Sequence, residues 1–193
     1  MNDTVTAIIP NWNRVDLLAA ALRNLRAQTR PPDHVLVIDN GSADNSVHYA
    51  RQQQGVQVIA FPENRGFAAA VNEGIARSQS DYLLILNNDV VLETDWLARV
   101  LESATVERAP FVVGKLLRPG GREIDGSFDL ISRGAYAWRS GYAKPDGPAW
   151  SRRRYIHLAP MTAALFHRSV FQRVGLLETR LESYYEDVEF GLR

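Results

Sequence analysis

Short apolar segments alternate with longer segments of helical periodicity along the first half of the chain. Four apolar segments of five or six residues predict strands over residues 5–10, 34–39, 56–61 and 82–86. Between them, apolar residues recur at helical spacing, as Leu18, Leu22 and Leu25 do, and predict helices over about residues 14–28, 42–52 and 66–76. Strands that alternate with helices are typical of βαβ units. The pattern therefore predicts an α/β fold with a mostly parallel central sheet flanked by helices.

The second half of the chain has a different pattern. A helix over about residues 94–105 and a strand over residues 111–115 precede a stretch rich in glycine and proline, residues 118–148, with short antiparallel strand candidates. Five apolar side chains are expected to anchor this stretch: Ile124, Phe128, Ile131, Tyr136 and Trp138. We expect a small antiparallel elaboration of a single domain, because 193 residues are too few for two ordinary domains.

The sequence predicts where the second and the last helix begin. The second helix begins near Ser42, whose hydroxyl can cap it. The last helix begins at about Glu186, and the chain ends with the eighth residue of that helix. Either a C-terminal segment is missing or packing against other elements completes the helix, and we expect truncation at the C-terminus.

Composition narrows the classes of partner. The 22 basic side chains equal the 22 acidic ones, so no net field gathers nucleic acid, and we expect no nucleic acid partner. The absence of cysteine excludes disulfides, thiolate zinc sites and thiol nucleophiles. No signal segment and no run of eighteen apolar residues occurs. We expect a cytoplasmic protein, with peripheral contact at the inner face of a membrane left open.

Polar segments follow three of the predicted strands: residues 10–14, 39–42 and 87–89. In parallel α/β sheets, ligands bind beyond the carboxyl ends of the strands, where backbone amides and helix N-termini converge. The three segments are therefore expected to lie side by side. Each also has a simpler interpretation as a polar turn at the end of a strand.

Two carboxylates in these segments are candidates for ligand binding. Asp39 could accept hydrogen bonds from a base edge or a ribose hydroxyl, or it could be a turn residue with Asn40 and Gly41. Asp89 follows a buried strand, where it could hold a magnesium or manganese ion against a diphosphate. Such ions take few protein carboxylates and share the phosphate oxygens.

Two further segments could complete a site. Asn64, Arg65 and Gly66 offer backbone amides and a guanidinium near the same edge, or simply begin a helix. Glu186 and Asp187 stand at a helix start, where carboxylates satisfy free amides and the helix dipole. In the functional interpretation, one of them is a general base that takes the proton of an attacking hydroxyl.

Taken together in chain order, these motifs resemble the family 2 glycosyltransferases, whose nucleotide-sugar domain has the GT-A fold. The resemblance covers nearly the whole chain, and five segments carry it: residues 8–14, residues 37–44, residues 64–67 with Asn72 and Gly74, residues 86–89, and residues 185–189. The sequence departs from the usual aspartate-rich metal triplet of that family, because asparagine stands at its first two positions, Asn87 and Asn88.

The resemblance implies a role for each segment. Asp89 would hold Mg²⁺ or Mn²⁺, Asp187 would be the catalytic base, and Glu186 would be a second carboxylate. Residues 1–115 would form the nucleotide-sugar-binding half and residues 116–193 the acceptor-side half. The nucleotide-binding residues would be Pro10, Asn11, Trp12, Asn13, Asp39, Asn64, Arg65, Gly66 and Asn88.

The implied reaction is inverting transfer of a sugar to an acceptor hydroxyl by metal-assisted single displacement. The donor would be a UDP- or dTDP-sugar, and the acceptor a glycan or lipid-linked molecule of a bacterial polysaccharide or cell-wall pathway. Among the alternatives, a Rossmann dehydrogenase needs a glycine-rich turn after its first strand, which residues 10–14 lack. A nucleotidylyltransferase would also show such a loop. A nucleotide-sugar-binding module or an inactive fragment remains an alternative.

Overall fold

A computed structural model of the protein describes residues 3–134, 136–181 and 183–193. Its strands are β1 (Val5–Asn11), β2 (His34–Asp39), β3 (Val56–Ala60), β4 (Tyr82–Leu86), β5 (Phe111–Val113), β6 (Leu116–Leu117), β7 (Ile124–Gly126), β8 (Asp129–Ile131), β9 (Ala137–Arg139) and β10 (Ala163–His167). Its helices are α1 (Val15–Arg26), α2 (Ser46–Arg51), α3 (Phe67–Arg77), α4 (Trp96–Glu107), α5 (Ser169–Val174) and α6 (Glu186–Leu192). Short 3-10 helices lie at Pro148–Trp150 and Thr179–Leu181.

The central sheet has six strands in the order β3-β2-β1-β4-β10-β5. β1 pairs in parallel with β2 and β4, and β2 pairs in parallel with β3, which confirms the predicted α/β fold with a mostly parallel sheet. β10 pairs antiparallel with both β4 and β5. It was not predicted, although its residues are almost entirely buried. Through β10, the part of the chain after residue 115 shares one sheet with the part before it.

Apolar helix faces cover both sides of this sheet. On one side, α1 and α4 pack against the sheet in a cluster that includes Leu18, Leu22 and Leu97. On the other side, α3, α5 and α6 pack in a second cluster, in which Phe166 contacts both Phe171 and Phe190. The predicted 3.6-residue periodicity thus identifies the faces that α1, α3 and α4 bury.

Side-chain amides fix the segment that follows β4. Asn24 donates from Nδ2 to the Leu92 carbonyl at 2.9 Å, and its Oδ1 accepts from the Leu92 amide at 2.8 Å. Just beyond the end of α1, Gln28 bonds in the same two-way manner to the Glu93 carbonyl and the Leu97 amide. Because each amide satisfies two backbone groups, α1 and the residues that follow it hold residues 92–97 in place and with them the preceding loop.

Two expectations for local structure are corrected. α2 begins at Ser46, not near Ser42, because the Ser42 hydroxyl is already bonded to Asp39 at 2.6 Å. At the start of α2, the Oδ1 of Asp44 accepts a hydrogen bond from the Ser46 amide at 3.0 Å. In the 118–148 stretch, Ile124 is fully buried, but Tyr136 and Trp138 are 66% and 42% exposed and stack on each other. These two aromatic residues are surface features, not core anchors.

Among the helices of the described residues, none is both long enough and apolar enough to cross a membrane.

Candidate active site

The carboxyl ends of β1, β2 and β4 are joined by side-chain hydrogen bonds. Asn11, at the end of β1, donates from Nδ2 to Oδ2 of Asp39 at 3.0 Å. The Oδ1 of Asn11 accepts a hydrogen bond from Nδ2 of Asn88 at 2.8 Å. The three polar segments that the sequence predicted to lie side by side therefore do so.

Asp39 lies beneath the surface of this edge. It is 1% exposed, and its carboxylate accepts hydrogen bonds from the Ser42 amide, the Ser42 hydroxyl and Asn11. With this many donors the buried charge is satisfied from within the chain. Asp39 therefore organises the loop after β2 and the side chain of Asn11, and its contact with a nucleotide stays a prediction.

Asn40 connects the same edge to the segment before α3. It is 5% exposed, donates from Nδ2 to Oδ1 of Asn64 at 2.8 Å, and accepts from the Arg65 amide at 2.8 Å. Gly41 makes this approach feasible. Its φ is +75°, and a Cβ there would lie 2.4 Å from the backbone carbonyl carbon of Glu63. A side chain at Gly41 would therefore push residues 63–66 away from the strand ends.

A cavity of about 390 Å³ opens above these strand ends. We call it the strand-end cavity, and the residues that line it are Pro10, Asn11, Trp12, Arg14, Leu17, Asn40, Asn64, Gly66, Phe67, Asn87, Asn88, Asp89 and Ser183. Seven of the residues predicted for the nucleotide and metal site are among them. Asn13, Asp39 and Arg65 are not: Arg65 stacks its guanidinium on Phe61, 4.9 Å from the ring centroid.

A second cavity, of about 360 Å³, lies between the β8–β9 hairpin and the start of α6. We call it the hairpin cavity, and its lining residues are Phe67, Asn87, Asp129, Ala137, Trp138, Arg139, Met161, Thr162, Ser183, Tyr184, Tyr185, Glu186, Asp187 and Val188. It contains both carboxylates predicted for catalysis, Glu186 and Asp187. Asp187 is partly buried, and its Oδ1 accepts from the Val188 amide at 2.8 Å.

The two cavities adjoin. Phe67, Asn87 and Ser183 line both of them. Asp89 on one side and Asp187 on the other therefore face a continuous hollow that extends from the end of β4 to the start of α6. The two carboxylates for which the sequence predicted opposite roles do not open onto separate surfaces.

Burial and mutual repulsion act on the carboxyls of the hairpin cavity. Burial, and then the charge of Asp187, raise the pKa of Asp129 to about 6, although the Arg139 guanidinium opposes the shift. Burial, with a smaller contribution from Asp187, also raises the pKa of Glu186, which is 7% exposed. Asp129 was not predicted from the sequence. The sequence feature that could have identified it is a carboxylate between two apolar residues, Phe128 and Leu130.

The backbone is unusual in both loops that border the hollow. Six non-glycine residues in the described part of the chain have positive φ, and four of them are Asn13, Arg14, Tyr184 and Tyr185. Such conformations cost about 1–3 kcal/mol each and cluster at functional sites. Here they turn the chain sharply into α1 and into α6, which brings the first turn of each helix to the edge of the hollow.

The residues at the end of β4 suit a divalent cation that is shared with a ligand. Asp89 is exposed at the mouth of the strand-end cavity, and Asn87 and Asn88 stand beside it. Within residues 3–134, 136–181 and 183–193, no group of three histidine, cysteine or acidic side chains could enclose an ion. One carboxylate beside a cavity fits an ion that takes most of its oxygen ligands from phosphates and water.

Comparison with known proteins decides the family. The family model described as Glycosyl transferase family 2 matches residues 6–175. The chain belongs to glycosyl transferase family 2. The resemblance drawn from the five sequence motifs is therefore confirmed, and so is the enzyme class that it implied, a glycosyltransferase, at the level of the family.

Relatives of this family 2 domain include two bacterial proteins that it matches along nearly its whole length. It is 26% identical over 204 residues to the O-antigen biosynthesis protein RfbC of Myxococcus xanthus, a match over 98% of this chain but 16% of that protein. It is 27% identical over 221 residues to the N-acetylglucosaminyl-diphospho-decaprenol L-rhamnosyltransferase of Mycobacterium tuberculosis, a match over 100% of this chain and 71% of that protein.

Solved glycosyltransferases share the fold of this family 2 domain. The mannosyltransferase PcManGT of Pyrobaculum calidifontis, in complex with GDP-Man and Mn²⁺, matches with a TM-score of 0.69 at 19% identity. TarS of S. aureus, residues 1–349 in complex with UDP, matches with a TM-score of 0.70 at 16% identity. Each match covers 98% of this chain and about half of the other chain, 51% and 54% respectively. The predicted GT-A fold is therefore confirmed.

Proposed function

We propose that this chain transfers a sugar from a nucleotide diphosphate sugar to an acceptor hydroxyl, with inversion at the anomeric carbon. One observation supports the proposal above all others. Asp89 and Asp187 line adjoining cavities that share Phe67, Asn87 and Ser183. A diphosphate beside Asp89 and an acceptor hydroxyl beside Asp187 could then meet across a single sugar ring.

In the proposed step, one bond forms as another breaks. The acceptor oxygen attacks the anomeric carbon, and the bond from that carbon to the diphosphate oxygen breaks, leaving its electron pair on the diphosphate. The carboxylate of Asp187 accepts the proton of the attacking hydroxyl, which makes it the general base. Because the acceptor attacks opposite the leaving group, the anomeric configuration inverts.

The strand-end cavity would bind the nucleotide. Asn64, which is exposed, would present the amide NH2 of its side chain to it, and Trp12, which is 56% exposed, would present an aromatic face. Asn11, Asp39 and Asn40 would position these residues, because their own polar atoms are bonded to the neighbouring loops. Gly66 lines the cavity, and its amide and carbonyl are bonded to Asn64 and Asn40. Asp89, with Asn88 beside it, would hold Mg²⁺ or Mn²⁺, which when bound neutralises charge on a departing diphosphate.

The names of relatives support the substrate classes. The Mycobacterium relative is an L-rhamnosyltransferase with a lipid diphosphate acceptor in its name, and the two solved structures hold GDP-Man with Mn²⁺ and UDP. We propose a UDP- or dTDP-sugar as the donor and a glycan or lipid-linked acceptor in polysaccharide biosynthesis. We further propose that the protein works in the cytoplasm, at the inner face of the membrane.

A binding panel followed by product analysis tests the function. UDP, dTDP and GDP are each added with and without Mn²⁺, and a nucleotide that binds the folded protein raises its Tm. The matching nucleotide sugar is then incubated with candidate acceptors. We expect one nucleotide to raise the Tm in a Mn²⁺-dependent way, and its sugar conjugate to release the nucleoside diphosphate. Release of pyrophosphate would instead indicate a nucleotidylyltransferase, and binding without any turnover a binding module.

A further inference from the structure

Three residues that line the hairpin cavity each have a buried side-chain oxygen without a hydrogen-bond partner. Among the described residues, four buried side-chain polar atoms are unpartnered, and three of them line this one cavity: Oδ1 of Asn87, Oδ1 of Asp129 and Oε2 of Glu186. Buried polar groups are nearly always satisfied, and leaving one unsatisfied costs about 1–3 kcal/mol. Their convergence indicates a ligand that supplies several hydrogen-bond donors.

The neighbouring cation does not satisfy Asp129. Arg139 lies directly opposite Asp129 in the β8–β9 register, but its Nη1 donates to Oδ2 of Asp125 at 2.9 Å. Asp129 therefore lines the cavity beside Asp187 with one buried carboxyl oxygen unpartnered, and it forms no ion pair with Arg139. Glu186, more than nine-tenths buried, also lines the cavity and has an unpartnered carboxyl oxygen.

The remaining walls suit a sugar ring. Trp138 and Tyr185 line the cavity and are 42% and 49% exposed, so each presents part of an aromatic face to a ligand. A sugar carries several hydroxyl donors on an otherwise apolar ring, and sites that bind such molecules combine aromatic walls with a few placed polar groups. The volume of about 360 Å³ also accommodates one monosaccharide unit.

We propose that Asp129 is a specificity-determining residue that binds sugar hydroxyls in the hairpin cavity, next to the catalytic base. This inference rests on the proposed transfer reaction, and it assigns Asp129 to substrate recognition, distinct from proton transfer. The raised pKa of Asp129 agrees with the role, since a carboxyl near its pKa can either accept or donate a hydrogen bond to a hydroxyl. The ring that it contacts comes from the donor or from the acceptor.

Two binding arms tell these sources apart in wild type, Asp129→Asn and a control, Glu123→Gln. The control removes an exposed carboxylate just before strand β7, which pairs with Arg118 and lies outside both cavities. In the donor arm, calorimetry compares Kd for UDP and dTDP with Kd for their glucose and rhamnose conjugates. In the acceptor arm, saturation-transfer NMR measures binding of the methyl glycosides of rhamnose, glucose and galactose to protein loaded with Mg²⁺ and UDP or dTDP.

We expect Asp129→Asn to weaken sugar binding in one arm by roughly 10- to 100-fold, the loss that follows from removing a charged hydrogen-bond acceptor. Binding of UDP and dTDP without sugar should change less than twofold, and Glu123→Gln should match wild type in both arms. Thermal unfolding checks that each variant is folded, and Asp129→Glu should restore part of the binding. Equal sugar binding by wild type and Asp129→Asn in both arms would overturn the assignment. Failure of the transfer reaction itself would show separately in the panel described above, as wild-type protein that binds no nucleoside diphosphate or that binds one without releasing it from its sugar conjugate.

Discussion

Asn88 donates a hydrogen bond from its Nδ2 to Oδ1 of Asn11, at 2.8 Å, and so ties the end of β4 to the end of β1. The same Asn11 donates to the buried carboxylate of Asp39. One amide side chain thus joins the loop proposed to hold the cation to the loop proposed to hold the nucleotide. Both parts of the strand-end cavity depend on it.

Removal of this amide should loosen both loops. Asn11→Ala leaves Asp39 without one of its donors and frees Asn88, and we expect a loss of about 1–3 kcal/mol in unfolding free energy. Nucleoside diphosphate binding should weaken as well. Urea denaturation and calorimetry measure the two effects. Asn45→Ala is the matched control, because Asn45 is exposed and its side chain does not cap α2; an equal effect of both variants would refute the role of Asn11.

Asp89, the single carboxylate at the proposed cation site, has a separate test. Asp89→Asn should lower the affinity for UDP or dTDP in the presence of Mn²⁺ while leaving the affinity without Mn²⁺ unchanged, because the substitution removes only the charge that attracts the ion. Calorimetry with and without Mn²⁺ measures this difference. Glu93→Gln, at an exposed carboxylate four residues further along, should behave as wild type. Unchanged Mn²⁺-dependent affinity in Asp89→Asn would remove the metal assignment.

The close contact at Gly41 predicts a difference between two glycines of equal φ. Gly41 and Gly55 both have a φ of +75°, but an added Cβ meets the Glu63 backbone at Gly41 and meets nothing within 4 Å at Gly55. Gly55→Ala should cost about 1–2 kcal/mol for the left-handed conformation alone. Gly41→Ala should cost more and should also weaken nucleotide binding, because residues 63–66 must move. Denaturant titration of both variants compares them, and equal costs would contradict the proposed clash.

The raised pKa of Asp129 predicts a pH dependence of stability. Its pKa rises from 3.8 to about 6 in the folded protein, so its stabilising contribution is complete below pH 4 and is lost as pH rises through 6. Glu186 shifts in the same direction, and Asp187 and Arg139 are the charges that face Asp129. Asp129→Asn should therefore gain unfolding free energy over wild type between pH 4 and 7.5, by roughly 1–2 kcal/mol after allowance for solvent screening. Denaturation at both pH values checks this, and a pH-independent difference would contradict it.

The sequence predicted the residues of the strand-end cavity better than those of the hairpin cavity. Residues 87–89 follow an entirely buried strand, and the parallel order of β1, β2 and β4 brings them beside Asn11 without any further information. The position of Asp39 at the end of a strand also identified it as a candidate ligand-binding residue. The sequence did not indicate that Ser42 and Asn11 would donate hydrogen bonds to its carboxylate.

The hairpin cavity depends on contacts between distant parts of the chain. Asp129 on β8 meets Asp187 on α6 only because β10 inserts between β4 and β5 and leads the chain back across the sheet. The small residues Ala163 and Ala164 gave β10 a weak strand signal, since alanine is depleted in strands. Because β10 was not predicted, the sequence could not place the hairpin beside Asp187, the proposed catalytic base.

Asp187→Asn tests the central claim most directly. The substitution keeps the size and position of the side chain and removes its ability to accept a proton, so nucleoside diphosphate affinity should stay within about twofold of wild type. Single-turnover transfer should fall by at least about 100-fold, the scale of general base catalysis. Glu189→Gln, which removes a carboxylate from the same helix outside both cavities, is the control. Near-wild-type transfer by Asp187→Asn would contradict the account.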